Sequence, residues 1–188
     1  MRVIAGKCRS LPLRSVPGKT TRPTTDRIKE TLFNILQTRI PDAVFLDLFA
    51  GSGAIGIEAL SRGASHAWFV ENDRTAVRVI RDNLQFTKLT RDADILQADA
   101  ADASVMLAGK AVFDVIFMDP PYGQDLEKKV LLSLRGAECV HPDTLFVIEA
   151  SCETSFDWLE ASGFVSVREK YYKTNKHVFV KARKGADI

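Results

Sequence analysis

Cysteine and histidine are scarce in this 188-residue chain, three of each, and their scarcity excludes whole classes of protein. Cys8, Cys139 and Cys152 are odd in number and far apart, and no C-x-x-C pairs with a histidine at ligand spacing. Neither a disulfide framework nor a zinc centre is expected, only three reduced thiols and no metal. His66, His141 and His177 are equally scattered and receive no role. Long apolar runs are missing too. The start, Met1-Arg2-Val3-Ile4-Ala5-Gly6-Lys7, has no stretch of signal-peptide length, and apolar runs elsewhere are broken by Asp or Glu well short of a membrane span. A cytoplasmic protein without membrane contact is expected. There is no excess of glycine (11) or proline (7), and 46% apolar with 27% charged residues is near the globular average, which excludes collagen-like and disordered chains. A chain of this length supports one good core, so a single domain over 1–188, and a monomer, are expected.

The formal net charge of +2 hides an uneven distribution. Residues 1–29 hold eight basic residues against one acid, net +7; residues 30–167 hold eleven against twenty-one, net −10; residues 168–188 hold seven against two, net +5. An acidic body thus carries two basic ends. Arg2, Lys7, Arg9, Arg14, Lys19 and Arg22, with no acid among them and with Leu11, Pro12, Leu13 and Pro17 interleaved, read as an arm or hairpin over 1–25 fitted to phosphates, or as a solvated basic end.

Thr24-Thr25-Asp26 stand before Ile28, Leu32, Phe33, Ile35 and Leu36, apolar at helical spacing, which predicts a helix over 26–39. Strand-length apolar runs follow at 44–49, 67–70, 95–98, 112–118 and 145–148. Helix-period stretches lie between them at 54–62, 74–86, after Asp102, and at 126–134; another is expected at 156–161. This alternation over a core of 26–164 predicts an α/β protein, a Rossmann-like three-layer αβα sandwich around a mostly parallel sheet. Residues 165–172 and 177–182, joined at Thr174-Asn175, read as a closing antiparallel β-hairpin over 165–183.

Two segments carry chemistry. Phe45-Leu46-Asp47-Leu48-Phe49-Ala50-Gly51-Ser52-Gly53-Ala54-Ile55-Gly56 is a strand, a glycine turn and a helix start, and Glu71 lies twenty residues after Gly51 at the end of the next strand. G-x-G-x-x-G with a following acid describes a dinucleotide site, but the same devices serve any adenosine-containing cofactor. Asp47, placed before the glycines, favours S-adenosylmethionine, since it would face an ammonium group and would repel a pyrophosphate. Asp99, closing the third strand, suits an adenine amino group or is a solvated strand end.

The second segment is Asp119-Pro120-Pro121-Tyr122 at the exit of a buried strand. Usage alone would produce this tetrapeptide in a chain of this length roughly once in a thousand. Asp119 and the Pro120 carbonyl can each accept an N–H of a planar exocyclic amine. The prolines fix φ and remove competing donors, and Tyr122 offers a face for a base to stack on. Holding both amine hydrogens turns the delocalised lone pair toward a methyl group. The target base is therefore expected to be flipped or unpaired.

These residues look like those of the S-adenosylmethionine-dependent methyltransferases of amino groups. The whole chain, from Arg2-Val3-Ile4-Ala5-Gly6 through Arg22-Pro23-Thr24 and Arg27-x-x-Glu30-x-Leu32-Phe33-Asn34 to the hairpin, resembles the bacterial small-subunit ribosomal RNA guanine-N2 methyltransferases of the RsmD type. The resemblance implies a seven-stranded sheet and methylation of a guanine N2 in 16S rRNA, in an assembling small ribosomal subunit or as naked RNA. It implies a cofactor cleft of Asp47, Phe49, Gly51, Gly53, Glu71, Asn72, Asp99, Ala100 and Asp119, with Asp119, Pro120, Pro121 and Tyr122 catalytic. Arg2, Lys7, Arg9, Arg14, Arg22, Thr24 and Tyr122 would hold the RNA. Guanine rests on the resemblance alone, because similar tetrapeptides serve adenine N6. An NAD-dependent oxidoreductase, which has no use for Asp-Pro-Pro-Tyr, and a non-catalytic RNA-binding protein are the readings from other classes.

Overall fold

The computed structural model describes residues 1–18 and 26–183. Seven strands form one sheet in the order β3-β2-β1-β4-β5-β7-β6: β1 (Val44–Leu48), β2 (His66–Val70), β3 (Ala93–Leu96), β4 (Phe113–Met118), β5 (Val140–Ser151), β6 (Phe164–Tyr171) and β7 (Asn175–Ala182). The first five pair in parallel, and β7 runs antiparallel between β5 and β6. The α-helices among the described residues are α1 (Asp26–Ile35), α2 (Ala54–Ser61), α3 (Arg74–Thr87), the single-turn α4 (Ala103–Met106) and α5 (Leu126–Ser133).

Side chains alternate across each strand, and the register sorts them into two cores. Phe45, Phe69, Phe117, Val147 and Phe179 share one face and pack under α1, α2, α3 and residues 1–13. Leu46, Val70, Ile116, Ile148 and Val178 share the other and pack against α4 and α5. Hence the central strands read as continuous apolar runs, buried on both sides.

Residues 1–13 form a tight hairpin. Arg2 bridges Pro12, and the Val3 amide donates to the Leu11 carbonyl at 3.0 Å. Glu58 on α2, fully buried, holds it down: its carboxylate accepts from the amides of Ile4 (2.8 Å) and Ala5 (3.0 Å) and pairs with Lys29 Nζ (3.4 Å) and Arg62 Nε (2.7 Å). Lys29 Nζ also donates to the Arg2 carbonyl at 2.6 Å.

Some expected elements differ. Residues 156–161 form no α-helix but turns and a 3₁₀ segment, Glu160–Ser162; six residues are too few to offset helix nucleation once Phe156 and Leu159 are buried by local turns. α1 ends at Ile35, and residues 36–39 continue as turns. β5 spans twelve residues, well beyond 145–148, because a register shift opposite Phe113–Val115 lets it absorb Pro142 and Asp143. Lys19, Arg22, Thr24 and Lys184 lie outside the described residues.

Candidate active site

The strand order reverses between β1 and β4, where ligands of open α/β sheets bind beyond the carboxyl ends of the strands. A cavity of about 690 Å³ lies there, well within the range of small-molecule sites. Its walls follow from the sheet face just described. Each strand is apolar on that face until its carboxyl end, where the same alternation delivers an acid: Phe45 then Asp47, Phe69 then Glu71, Phe117 then Asp119, Val147 then Glu149.

The loop from β1 to α2 forms one wall. Phe49, Gly51 and Gly53 all have positive φ (61°, 56° and 76°), a left-handed conformation costly for Phe49 and free for the glycines. The Gly51 amide donates to Glu71 Oε2 at 2.8 Å and the Asp73 amide to Oε1 at 3.0 Å, so Glu71 ties the loop to the end of β2. A Cβ on Gly56 would sit 2.3 Å from the Phe69 ring; only glycine lets α2 pack so closely on the sheet.

Asp47 is buried, and its Oδ2 accepts from the Gly56 amide at 2.9 Å in the first turn of α2. Burial pushes its carboxyl up to about 8, opposed by that hydrogen bond and assisted by Glu71. Asp119, half-buried, is also raised well above the carboxylate range, by burial first and then by Glu149 and Asp47. Tyr122 stands half exposed at the mouth, its hydroxyl pushed up by burial and by Glu149 and Asp119. Asp99 accepts from the Ala101 amide at 2.9 Å and caps the following turn.

Of the expected cofactor residues, Asp47, Phe49, Gly51, Glu71, Asn72, Asp99 and Asp119 line this cavity, together with Pro120, Pro121 and Tyr122. Gly53 and Ala100 do not: Gly53 starts α2 and Ala100 is buried behind Asp99. Arg2, Lys7 and Arg14 lie on or beside the hairpin, paired with Asp26 (2.9 Å), Asp92 (3.3 Å) and Asp82 (2.8 Å), and Arg9 is exposed. None of the four lines the cavity, although Met1, Ser15 and Val16 beside them do.

Glu149 escaped the sequence reading. It is 5% exposed, accepts from Asn175 Nδ2 at 2.6 Å and lies 3.1 Å from His177 Nε2, whose Nδ1 lies 3.1 Å from Tyr172 Oη. Val115-x-Phe117-x-Asp119 and Leu145-x-Val147-x-Glu149 repeat one pattern, which is the signal that could have found it.

Among the described residues, Asp47, Glu71, Asp99, Asp119 and Glu149 face the cavity against one lysine, Lys29, whose ammonium is already held by Glu58 and the Arg2 carbonyl. This wall suits a cation bearing hydroxyl groups and opposes a pyrophosphate. Among the described residues no group of three or more His, Cys, Asp or Glu is arranged to hold a metal ion, and no helix is long and apolar enough to cross a membrane.

The family model described as conserved hypothetical protein 95 matches residues 1–181. The chain belongs to this family. Members similar to it include ribosomal RNA small subunit methyltransferase D of Haemophilus influenzae, 34% identical over 177 residues (89% of this chain, 92% of the relative), and its namesake in Escherichia coli K12, 36% identical over 165 residues (86% and 80%). Among solved structures, the Escherichia coli protein yhhF superposes with a TM-score of 0.80 at 34% identity, covering 97% of this chain and 98% of its own. The Rossmann-like methyltransferase fold extends beyond the family: a precorrin-6y methyltransferase from Geobacter metallireducens, 16% identical, has a TM-score of 0.68 over 92% of this chain and 94% of its own.

Proposed function

We propose that this chain transfers a methyl group from S-adenosylmethionine to the exocyclic N2 amine of a guanine in 16S ribosomal RNA. The observation that carries the reading is that Asp119-Pro120-Pro121-Tyr122 and the acidic Asp47, Glu71 and Asp99 wall share one cavity. The names of the family members supply the RNA.

The cavity fits the methyl donor. The backbone of the loop at Gly51 is open to a close ligand, with no atom nearer than 3.9 Å to a Cβ built there, Glu71 and Asp99 offer acceptors to hydroxyl and amino groups, and Asp47 offers a negative charge to an ammonium. S-adenosylmethionine, when bound, supplies an electrophilic methyl carbon whose bond to sulfur breaks with its electron pair returning to sulfur. The protein's part is orientation. Asp119 and the Pro120 carbonyl accept the two N–H groups of the amine, the ring of Tyr122 stacks on the base, and Asp119, in the ionised form that its surroundings disfavour in the free protein, stabilises positive charge as the nitrogen becomes tetrahedral. That charge is discharged as one N–H proton passes to the Asp119 oxygen that accepts it, and from there to water.

Mass spectrometry of nucleosides from cells lacking the protein tests this. One 16S rRNA site should lose N2-methylguanosine, with wild-type protein and not Asp119→Ala restoring it. Retention at every site defeats the proposal, and loss of N6-methyladenosine instead would move the reaction to adenine. Calorimetry with S-adenosylhomocysteine and NADH checks the donor: tight binding of NADH alone would make the site a dinucleotide one.

A further inference from the structure

The Asp-Pro-Pro-Tyr segment does not by itself distinguish guanine from adenine, but another carboxylate of the cavity, Glu149, stands beside it. Met118 on β4 pairs with Ile148 on β5, so the next residues, Asp119 just past β4 and Glu149 near the end of β5, lie side by side at roughly the 5 Å spacing of neighbouring strands, and both line the cavity with Tyr122. Glu149 is not a loose side chain. Asn175 Nδ2 donates to one of its oxygens at 2.6 Å and His177 Nε2 meets the other at 3.1 Å. An ionised Glu149 can only accept, which puts the His177 ring proton on Nε2 and leaves Nδ1 to accept from the Tyr172 hydroxyl 3.1 Å away. A carboxylate has about four acceptor positions, so these two bonds and the hydrogen bond from the Tyr122 hydroxyl leave one position toward the cavity.

The Watson–Crick edges of the two bases differ where Glu149 stands. Guanine presents two adjacent donors, N1–H and the N2 amine; adenine presents its N6 amine beside a bare N1 lone pair. Two side-by-side carboxylates match the first edge and set an acceptor against an acceptor on the second. We propose that Glu149 selects guanine by accepting its N1–H while the neighbouring Asp119 holds the amine. This rests on the guanine-N2 reading above.

The test uses 2-aminopurine, which keeps the amine of guanine but carries a lone pair at N1. Small subunits are reconstituted with rRNA bearing guanine or 2-aminopurine at the mapped target, and initial rates are compared for wild type and Glu149→Gln, whose amide can donate to N1. Wild type should prefer guanine by about 100-fold or more. Glu149→Gln should lose most of its rate on guanine and shift the preference toward 2-aminopurine by about tenfold or more, with calorimetric affinity for S-adenosylhomocysteine within about threefold of wild type. Equal wild-type rates on the two bases overturn the inference whether or not the variant folds, as does a variant with an unchanged preference. If the methylated product is N6-methyladenosine, the guanine reading falls and this inference with it; N2-methylguanosine with an unchanged preference overturns the role of Glu149 alone.

Discussion

At the scale of single residues, the site is a set of acids kept where ionisation is costly. Asp47 ionises near 3.8 when unfolded and near 8 when folded. Between those values the folded state holds a proton that the unfolded chain has released, so stability falls as pH rises from about 4 to about 8. Asp47→Asn keeps an acceptor for the Gly56 amide and removes the buried charge. It should raise the denaturation midpoint at pH 8, on the order of a few kcal/mol, and flatten the pH dependence; a midpoint that falls at pH 8 would show that the charge is stabilised in the fold. The same acid should help a cationic ligand. Binding of S-adenosylmethionine should tighten as pH rises toward 8 and release protons, which calorimetry in buffers of different ionisation enthalpy measures directly. Asp119 acts on the other ligand: Asp119→Ala should lower single-turnover rates about 10²- to 10³-fold, as loss of one preorganised acceptor does, while the affinity for S-adenosylhomocysteine changes far less.

At the scale of elements, Glu58 joins the N-terminal hairpin to α2 and α1. It is buried with Lys29, pairs with the partly exposed Arg62 and holds two hairpin amides. Removing one partner of such a cluster leaves an uncompensated charge, so Glu58→Gln should destabilise the protein by about 3–5 kcal/mol in urea unfolding and speed amide exchange at Ile4 and Ala5. A loss below about 1 kcal/mol would mean that the hairpin is held by its apolar residues alone. How much the sequence discloses also divides by element. The parallel strands, the glycine turn and the closing hairpin are legible because local pattern dictates them: apolar runs buried on both faces, positive φ at Gly53, the alternating charges Arg168-Glu169-Lys170 in β6. The segment at 156–161 is not, since Phe156 and Leu159 satisfy helical spacing while tertiary burial holds them in turns. Asp47, Glu71 and Asp119 stand out because each belongs to a recognisable motif. Glu149 is hinted at only by the repeat of the β4 pattern in Leu145-x-Val147-x-Glu149, and its partner His177 not at all, because their pairing depends on β7 inserting beside β5, a long-range property that no short window contains.

At the scale of the whole molecule, the near-neutral total separates into two environments. Asp47, Glu71, Asp99, Asp119 and Glu149 converge on the cavity, and the basic start folds as a hairpin whose flanks, Met1 and Ser15, border it. The pairs Arg2–Asp26, Lys7–Asp92 and Arg14–Asp82 have basic side chains 61%, 53% and 75% exposed. Such surface pairs contribute about 0–1 kcal/mol each, so an RNA phosphate can displace the acid at little cost. If these residues hold the RNA backbone, replacing Lys7, Arg9 and Arg14 together with glutamine should weaken binding of the small-subunit substrate. It should also reduce the slope of log affinity against log salt by about 0.7–0.9 for each phosphate that is no longer neutralised, roughly two in all. Affinity for S-adenosylhomocysteine should be unaffected, because none of the three lines the cavity. A triple variant with weaker binding but an unchanged salt slope would mean that the hairpin meets the RNA through shape or apolar packing. The electrostatic grip would then belong to the basic β6–β7 end, where Arg168, Lys170 and Lys173 are the residues to replace next.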